Sequence, residues 1–361
     1  MPASTAALSR VGQSLWLDNI TRGMLDDGTL ARYIRDLHIT GLTSNPSIYN
    51  AAVKDTSFYD EALATLGAGK SSAEEAFFAI AVEDLTRAAD LFRPVYDRTG
   101  GVDGWVSLEV SPRLAYDTAA TLAQAKALHA RAGRPNLFIK IPGTPEGLPA
   151  IEEAIFAGVP VNVTLLFTCA QYLAAAEAYL RGIERRIEAG LSPRVGSVAS
   201  LFISRWDTAT AKSLPRELVN TLGIAVGAVS YRGYRSLLAS DRFERLCNFG
   251  AMPQRLLFAS TGTKDPSASD CLYIDSLAAP NSVNTMPEKT LLAFADHGTV
   301  TATLSAGGGM ADSTLFAIER AGVDVAALGA KLQKDGADAF VRSWDELLDV
   351  ISQKSRAVAS V

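Results

Sequence analysis

Short apolar runs rich in β-branched residues alternate with longer helical stretches along most of this chain, and that alternation limits the fold more than any other feature. It is the signature of repeated βα units around a parallel sheet. Eight runs are legible, at 14–18, 39–44, 104–110, 137–142, 161–167, 198–204, 255–260 and 272–277. Helices are expected between most of them, for example over 115–131, 170–189 and 222–240. Eight such units predict a closed (β/α)8 barrel, the TIM barrel, with an open doubly wound sheet as the alternative. A helical insert over 58–92 and helices from 310 to 355 read as additions packed on one domain spanning 1–361, because no Pro/Gly/Ser linker divides the chain.

The fourth run, Leu137-Phe-Ile-Lys-Ile-Pro142, sets Lys140 in an apolar, β-branched context too short for a surface helix. Its amine must then enter the interior. An isolated charge there is very costly, and the two ways out are a buried counter-charge or loss of the proton. The first makes Lys140 structural. The second makes it a nucleophile of the kind that forms Schiff bases with carbonyl compounds. The run alone leaves both open.

Side chains alternate across a strand, so polar residues that share a face can be read from each run. Trp16 and Asp18 share a face in the first run, Trp105, Ser107 and Glu109 in the third, and Phe138 and Lys140 in the fourth. Asn162 and Thr164 do so in the fifth and Ser200 and Ser204 in the sixth, and the seventh run ends in Ser260. Nearly every run thus carries a polar group toward its C-terminal end, where barrel enzymes assemble their sites. Singly, each has a plain alternative: Asp18 as a helix cap, Thr164 as an ordinary strand residue, Ser260 as a turn residue. Glu109, inside Val106-Ser-Leu-Glu-Val110, is harder to set aside, since buried carboxylates are rarely unpaired. Together the two carboxylates, the Lys and the neutral groups favour a site where an iminium forms on Lys140 while Asp18 and Glu109 move protons. Such chemistry requires no metal or organic cofactor.

The rest of the composition removes other classes. Only His38, His129 and His297 are present, none near another His or Cys at ligand spacing, so neither a His-based metal site nor a catalytic triad is expected. No Gly-rich phosphate loop is followed by Lys-Ser or Lys-Thr. Cys169, Cys247 and Cys271 are odd in number and widely spaced, which fits a reducing, cytoplasmic setting better than a disulfide framework. Residues 1–13 lack the apolar core of a secretory signal and no apolar stretch reaches ~18 residues, so no membrane span is expected. A net charge of -5 without a basic stripe argues against nucleic acid as a partner. The sequence does not decide between a monomer and a homo-oligomer.

With these residues in view, the chain resembles the transaldolase family over nearly its whole length. The resemblance is carried by Trp16-Leu-Asp-Asn19, Thr43-Ser-Asn-Pro-Ser47, Ser107-Leu-Glu-Val-Ser-Pro-Arg113, Phe138-Ile-Lys-Ile-Pro142, Val161-Asn-Val-Thr-Leu165, Tyr273-Ile-Asp-Ser276 and Pro280-Asn-Ser-Val-Asn-Thr285. It implies a (β/α)8 barrel that transfers a dihydroxyacetone unit from a ketose phosphate to an aldose phosphate, with sugar phosphates as its small-molecule partners. It implies Lys140 as the Schiff-base residue and Asp18 as the acid/base for the donor's C4 hydroxyl. Glu109 and Thr164 would hold the water that shuttles protons, Asn45 and Asn162 the hydroxyls of the transferred unit, and Ser204 a further sugar contact.

Two segments depart from the family pattern. Many members carry Ser-Pro-Phe-Val-Gly-Arg after the sixth strand and Ala-Ser-Phe-Arg after the seventh, where this chain reads Ser204-Arg-Trp-Asp207 and Ala259-Ser-Thr-Gly-Thr-Lys264. Phosphate needs cationic or N–H donors, which makes Arg205, Ser260 and Lys264 the candidates for that role; the plain alternative is solvated loop charges. Two other functions compete. A fructose 6-phosphate aldolase would release free dihydroxyacetone, but such enzymes typically carry Gln where Glu109 stands. A barrel that only binds sugar phosphates would need no nucleophile.

Overall fold

The computed structural model describes residues 3–68 and 71–358. Eight strands lie in barrel order: β1 (Ser14–Asp18), β2 (Ile39–Thr43), β3 (Trp105–Glu109), β4 (Leu137–Pro142), β5 (Val161–Leu166), β6 (Ser197–Phe202), β7 (Gln254–Ala259) and β8 (Val283–Met286). Each pairs in parallel with the next, and β8 returns to β1. Closure leaves no strand edge unpaired. The barrel expected from the alternation is the one formed, and the open sheet is excluded. The three expected helices appear as Thr118–Ala132, after a 3-10 turn at Pro112–Leu114, and as Cys169–Glu188 and Leu222–Leu238.

Aromatic side chains fill the barrel rather than leaving a pore. Trp105 stacks on Phe138 with centroids 4.0 Å apart and 13° between planes, and Trp16 lies 6.2 Å from Phe138. Two glycines make the room. A Cβ on Gly41 would come within 2.6 Å of the Trp16 ring, and one on Gly196 within 2.5 Å of Trp105, so alanine at either position would overpack the interior. Trp16 Nε1 donates to Asp103 at 3.1 Å, and Asp103 also accepts from Ser14 Oγ at 2.6 Å and from Arg255 at 3.2 Å. Arg255 donates in addition to Val102 O at 3.1 Å, Ser14 Oγ at 2.7 Å and Ser282 O at 2.9 Å. The N-terminal end of the barrel is thereby closed by a saturated polar network.

The eighth strand is not where the apolar runs put it. Residues 272–277 contain the helix Leu272–Ser276, and β8 follows at Val283–Met286. Tyr273, Ile274 and Leu277 are buried while Asp275 and Ser276 are not, the i, i+1, i+4 spacing of a helix; six residues are too few for apolar content to separate the two periods. The true strand escapes notice because its centre is polar. Thr261 Oγ1 donates to Asn284 at 2.9 Å, and Thr285 lies 2.7 Å from the Thr43 hydroxyl. The sixth run is also shorter than expected, since Ser204 opens the helix Ser204–Thr210.

The insert forms the helices Asp60–Ala68 and Ala73–Arg98, the second started by a capping box between Ser72 and Glu75. After the helix Ala311–Arg320, the chain ends in the long helix Val325–Val358. This C-terminal helix crosses the C-terminal mouth of the barrel. Gln333 Nε2 donates to Gly143 O and Leu165 O, each at 3.0 Å, where Leu165 at φ 60° breaks the regularity of β5. Further along, Trp344 packs on Phe77 and Phe78 of the insert with centroids 4.9 and 5.6 Å away.

Candidate active site

Barrel register sets the polar residues side by side. Glu109 stands opposite Lys140, Lys140 opposite Asn162, Pro142 opposite Thr164, and Asp18 opposite Thr43. Because inward-facing residues of neighbouring strands share these levels, one step of parity in each run becomes contact in space. Lys140 Nζ lies 3.1 Å from Glu109 Oε2 and donates to Ser44 O at 3.0 Å. The two charged side chains are only 6% and 5% exposed. Both readings of the buried Lys therefore meet in one arrangement: it has a counter-charge, and it sits in a cavity.

That cavity, of about 160 Å³, opens at the C-terminal mouth and is lined by Asp18, Asn45, Lys140, Thr164, Arg205, Ser260 and Lys264 among the expected residues. The other three expected residues lie directly behind the wall. Glu109 pairs with Lys140. Asn162 donates to Ser107 Oγ at 3.1 Å and accepts from Ser200 Oγ at 2.7 Å, and Ser200 lines the cavity. The Ser204 and Ser260 hydroxyls are 2.9 Å apart. The Asn45 amide oxygen caps the helix Pro46–Asp55, accepting from Ile48 N at 3.2 Å and Ser47 Oγ at 2.6 Å. The cavity wall carries no His or Cys.

Burial pushes the Glu109 carboxyl above its usual range, with Lys140 pulling the other way. Asp18 is also raised by burial, against the Thr43 hydroxyl that donates to it at 2.7 Å and the charges of Lys140 and Lys264. Each carboxyl is thus shifted toward its protonated form, the direction in which carboxyls are tuned for general acid/base work. Glu109 Oε1 and Thr164 Oγ1 are buried with no hydrogen-bond partner among the described residues. Such groups are costly to leave unpaired. Arg205 pairs with no carboxylate among the described residues; its guanidinium, lowered by burial, lies 5.0 Å from the Phe202 ring centroid and 5.7 Å from that of Phe340.

The chain matches the transaldolase/fructose-6-phosphate aldolase family over residues 15–351. The chain belongs to that family. Among its relatives, a transaldolase of Thermobifida fusca is 45% identical, covering 97% of this chain and 98% of its own length. A transaldolase of Saccharopolyspora erythraea is 44% identical with 96% of each chain covered, and transaldolase 2 of Streptomyces coelicolor is 43% identical with 94% of each covered.

After β6 the sequence departs from the family pattern. Trp206, in the place of the family's aromatic residue, is fully buried and donates Nε1 to Phe167 O at 3.1 Å, so it does not line the cavity. The aromatic wall comes instead from Phe202 and from Phe340 of the C-terminal helix, whose ring lies 5.9 Å from Lys140 Nζ. The sequence carries no local sign of Phe340, because its role depends on a helix that returns from 200 residues beyond β4. The pair Thr43 and Thr285 was missed for a different reason. Thr43 was hidden inside a motif read for Asn45, and Thr285 inside a strand too polar to recognise.

Proposed function

We propose that this transaldolase-family chain transfers a dihydroxyacetone unit from sedoheptulose 7-phosphate or fructose 6-phosphate to glyceraldehyde 3-phosphate or erythrose 4-phosphate, as in the pentose phosphate pathway. The observation that carries this is the buried Lys140–Glu109 pair at 3.1 Å on the wall of a cavity that Asp18 also lines. Burial favours the neutral form of Glu109, and transfer of one proton from Lys140 to Glu109 yields a free amine and an acid in place.

The amine attacks the ketose C2 carbonyl. Glu109 and a water held between it and Thr164, both with unpartnered oxygens, carry protons through the carbinolamine, which loses water to give the iminium. Asp18 then takes the C4 hydroxyl proton, the C3–C4 bond breaks, and its electron pair flows into the iminium to leave an enamine. The aldose departs. Asn162 and Asn45 hold the hydroxyls of the bound three-carbon unit until the acceptor aldehyde arrives, and protonated Asp18 returns its proton to the new hydroxyl. Hydrolysis of the second iminium frees the product and Lys140. Ser204 contacts the sugar, and Arg205, Ser260 and Lys264 receive the phosphate. The three free cysteines accord with a reducing cytoplasmic setting for this reaction.

Borohydride reduction with fructose 6-phosphate present, followed by peptide mass analysis, tests the proposal. A three-carbon adduct is expected on Lys140. An adduct elsewhere, or full activity in Lys140→Met, overturns it. Free dihydroxyacetone accumulating at the same rate with and without acceptor would mark an aldolase instead.

A further inference from the structure

Outside the active site, the fold assembles a second group of polar side chains that the reaction does not use. Cys271 and His297 are 26 residues apart in sequence, yet Cys271 Sγ lies 3.9 Å from His297 Nε2. The same nitrogen is 2.9 Å from Asp270 Oδ1, and the three ligand atoms lie within 4.8 Å of one another. Tetrahedral zinc ligands at ordinary bond lengths stand about 3.4 Å apart, so the observed separations of 2.9 and 3.9 Å bracket that value.

Two further features point the same way. His297 Nδ1 is 3.2 Å from Asp296 Oδ2, and a carboxylate behind one ring nitrogen sets the tautomer and leaves the other free to ligate. A carboxylate oxygen only accepts, so the 2.9 Å contact is Nε2–H donating to Asp270 Oδ1, and a cation that takes this nitrogen replaces that proton. No Lys or Arg pairs with Asp270, Asp275 or Asp296 among the described residues, and His297 is the one basic partner of Asp270 and Asp296 there.

We propose that Asp270, Cys271 and His297 form a binding site for a borderline divalent cation, Zn²⁺ by ligand chemistry, with water as the fourth ligand. The sequence spacing concealed this site. Cys271 immediately precedes the helix Leu272–Ser276, and His297 is the last residue of the helix Glu288–His297. A bound ion ties the end of the segment that carries Ser260 and Lys264 to the helix that follows β8. On binding, the Cys271 thiol and His297 Nε2 each give a proton to solvent, and the sulfur and the nitrogen become ligands.

The full chain, stripped with chelator, is titrated with Zn²⁺ and separately with Co²⁺. One ion per chain is expected, with release of protons from the thiol and the imidazole, a higher Tm, and for Co²⁺ a thiolate-to-metal charge-transfer band. His297→Gln and Cys271→Ser should each abolish tight binding, and Asp296→Asn should weaken it about 10- to 100-fold, the usual effect of losing a ligand's orienting partner, with basal activity unchanged. Because Cys271 is buried, its variant is also checked for folding; the exposed His297 and the cobalt spectrum give answers independent of that. Absence of stoichiometric binding, binding that survives His297→Gln, or a cobalt complex without the thiolate band each overturns the proposal.

Discussion

Arg255 at the N-terminal end of the barrel and Lys140 at the C-terminal end are both buried cations drawn in by β-strands, but their surroundings differ. Arg255 donates to four oxygens, and its partner Asp103 is filled in turn by Ser14 and Trp16. Lys140 has one carboxylate and one carbonyl, and the carboxylate's second oxygen and the nearby Thr164 hydroxyl have no hydrogen-bond partner among the described residues. A saturated network stabilises one geometry, whereas an unsaturated one keeps capacity for a ligand at a cost in stability. The contrast separates a structural charge from a reactive one better than burial does, since both are buried.

Substitutions should divide along the same line. Lys140→Met is expected to lower kcat on the order of 10⁴-fold or more, the scale of losing a covalent nucleophile, while Tm changes little because Glu109, already pushed up by burial, takes a proton once its cation is gone; a coupled assay and a thermal melt together read this. Arg255→Met should do the reverse. Leaving Asp103 unpaired is expected to cost about 3–5 kcal/mol in denaturant unfolding, with the specific activity of the folded fraction preserved, and a kinetic defect with normal stability would break the distinction.

Smaller effects sharpen it. Arg205→Leu should raise KM for glyceraldehyde 3-phosphate roughly 10-fold or more, one charge-assisted hydrogen bond, and leave unphosphorylated glyceraldehyde nearly unaffected. Equal losses for both acceptors would remove Arg205 from the phosphate site. Asp18→Ala should slow carbon–carbon cleavage while borohydride trapping on Lys140 persists.

The smallest effect concerns stability against pH. Burial raises Asp18 in the folded state, so between its unfolded value near ~4 and its folded value the native chain holds more protons than the unfolded one. Its contribution is most favourable below the unfolded value and falls as pH rises to the folded value. Asp18→Asn should therefore flatten the decline in that window and raise Tm slightly at neutral pH, even as activity drops. A lower Tm in that variant would show that the carboxylate is needed for packing.

Much of the barrel and of the cavity wall was legible because strand alternation has a period of two and most candidates lay on a recognisable run. Asp18, Glu109, Lys140, Asn162 and Thr164 could be assigned to one side of their strands without knowing any neighbour. β8 was misread since four residues with a polar centre carry almost no periodic signal, while the adjacent Leu272–Ser276 is short enough to imitate a strand. Trp206 could not be told from a cavity residue by its position after β6; only its bond to Phe167 O shows that it faces away.

The sequence by itself determined the repeated βα units, the parity of the inward-facing residues and the presence of an amine that had to be buried, because these follow from local geometry and the cost of desolvation. The tertiary structure alone decided that Glu109 is the partner of Lys140, that Phe340 walls the cavity and that Cys271 meets His297. Those are contacts between segments far apart in the chain, set by barrel register and by where the later helices pack, and no local pattern encodes them.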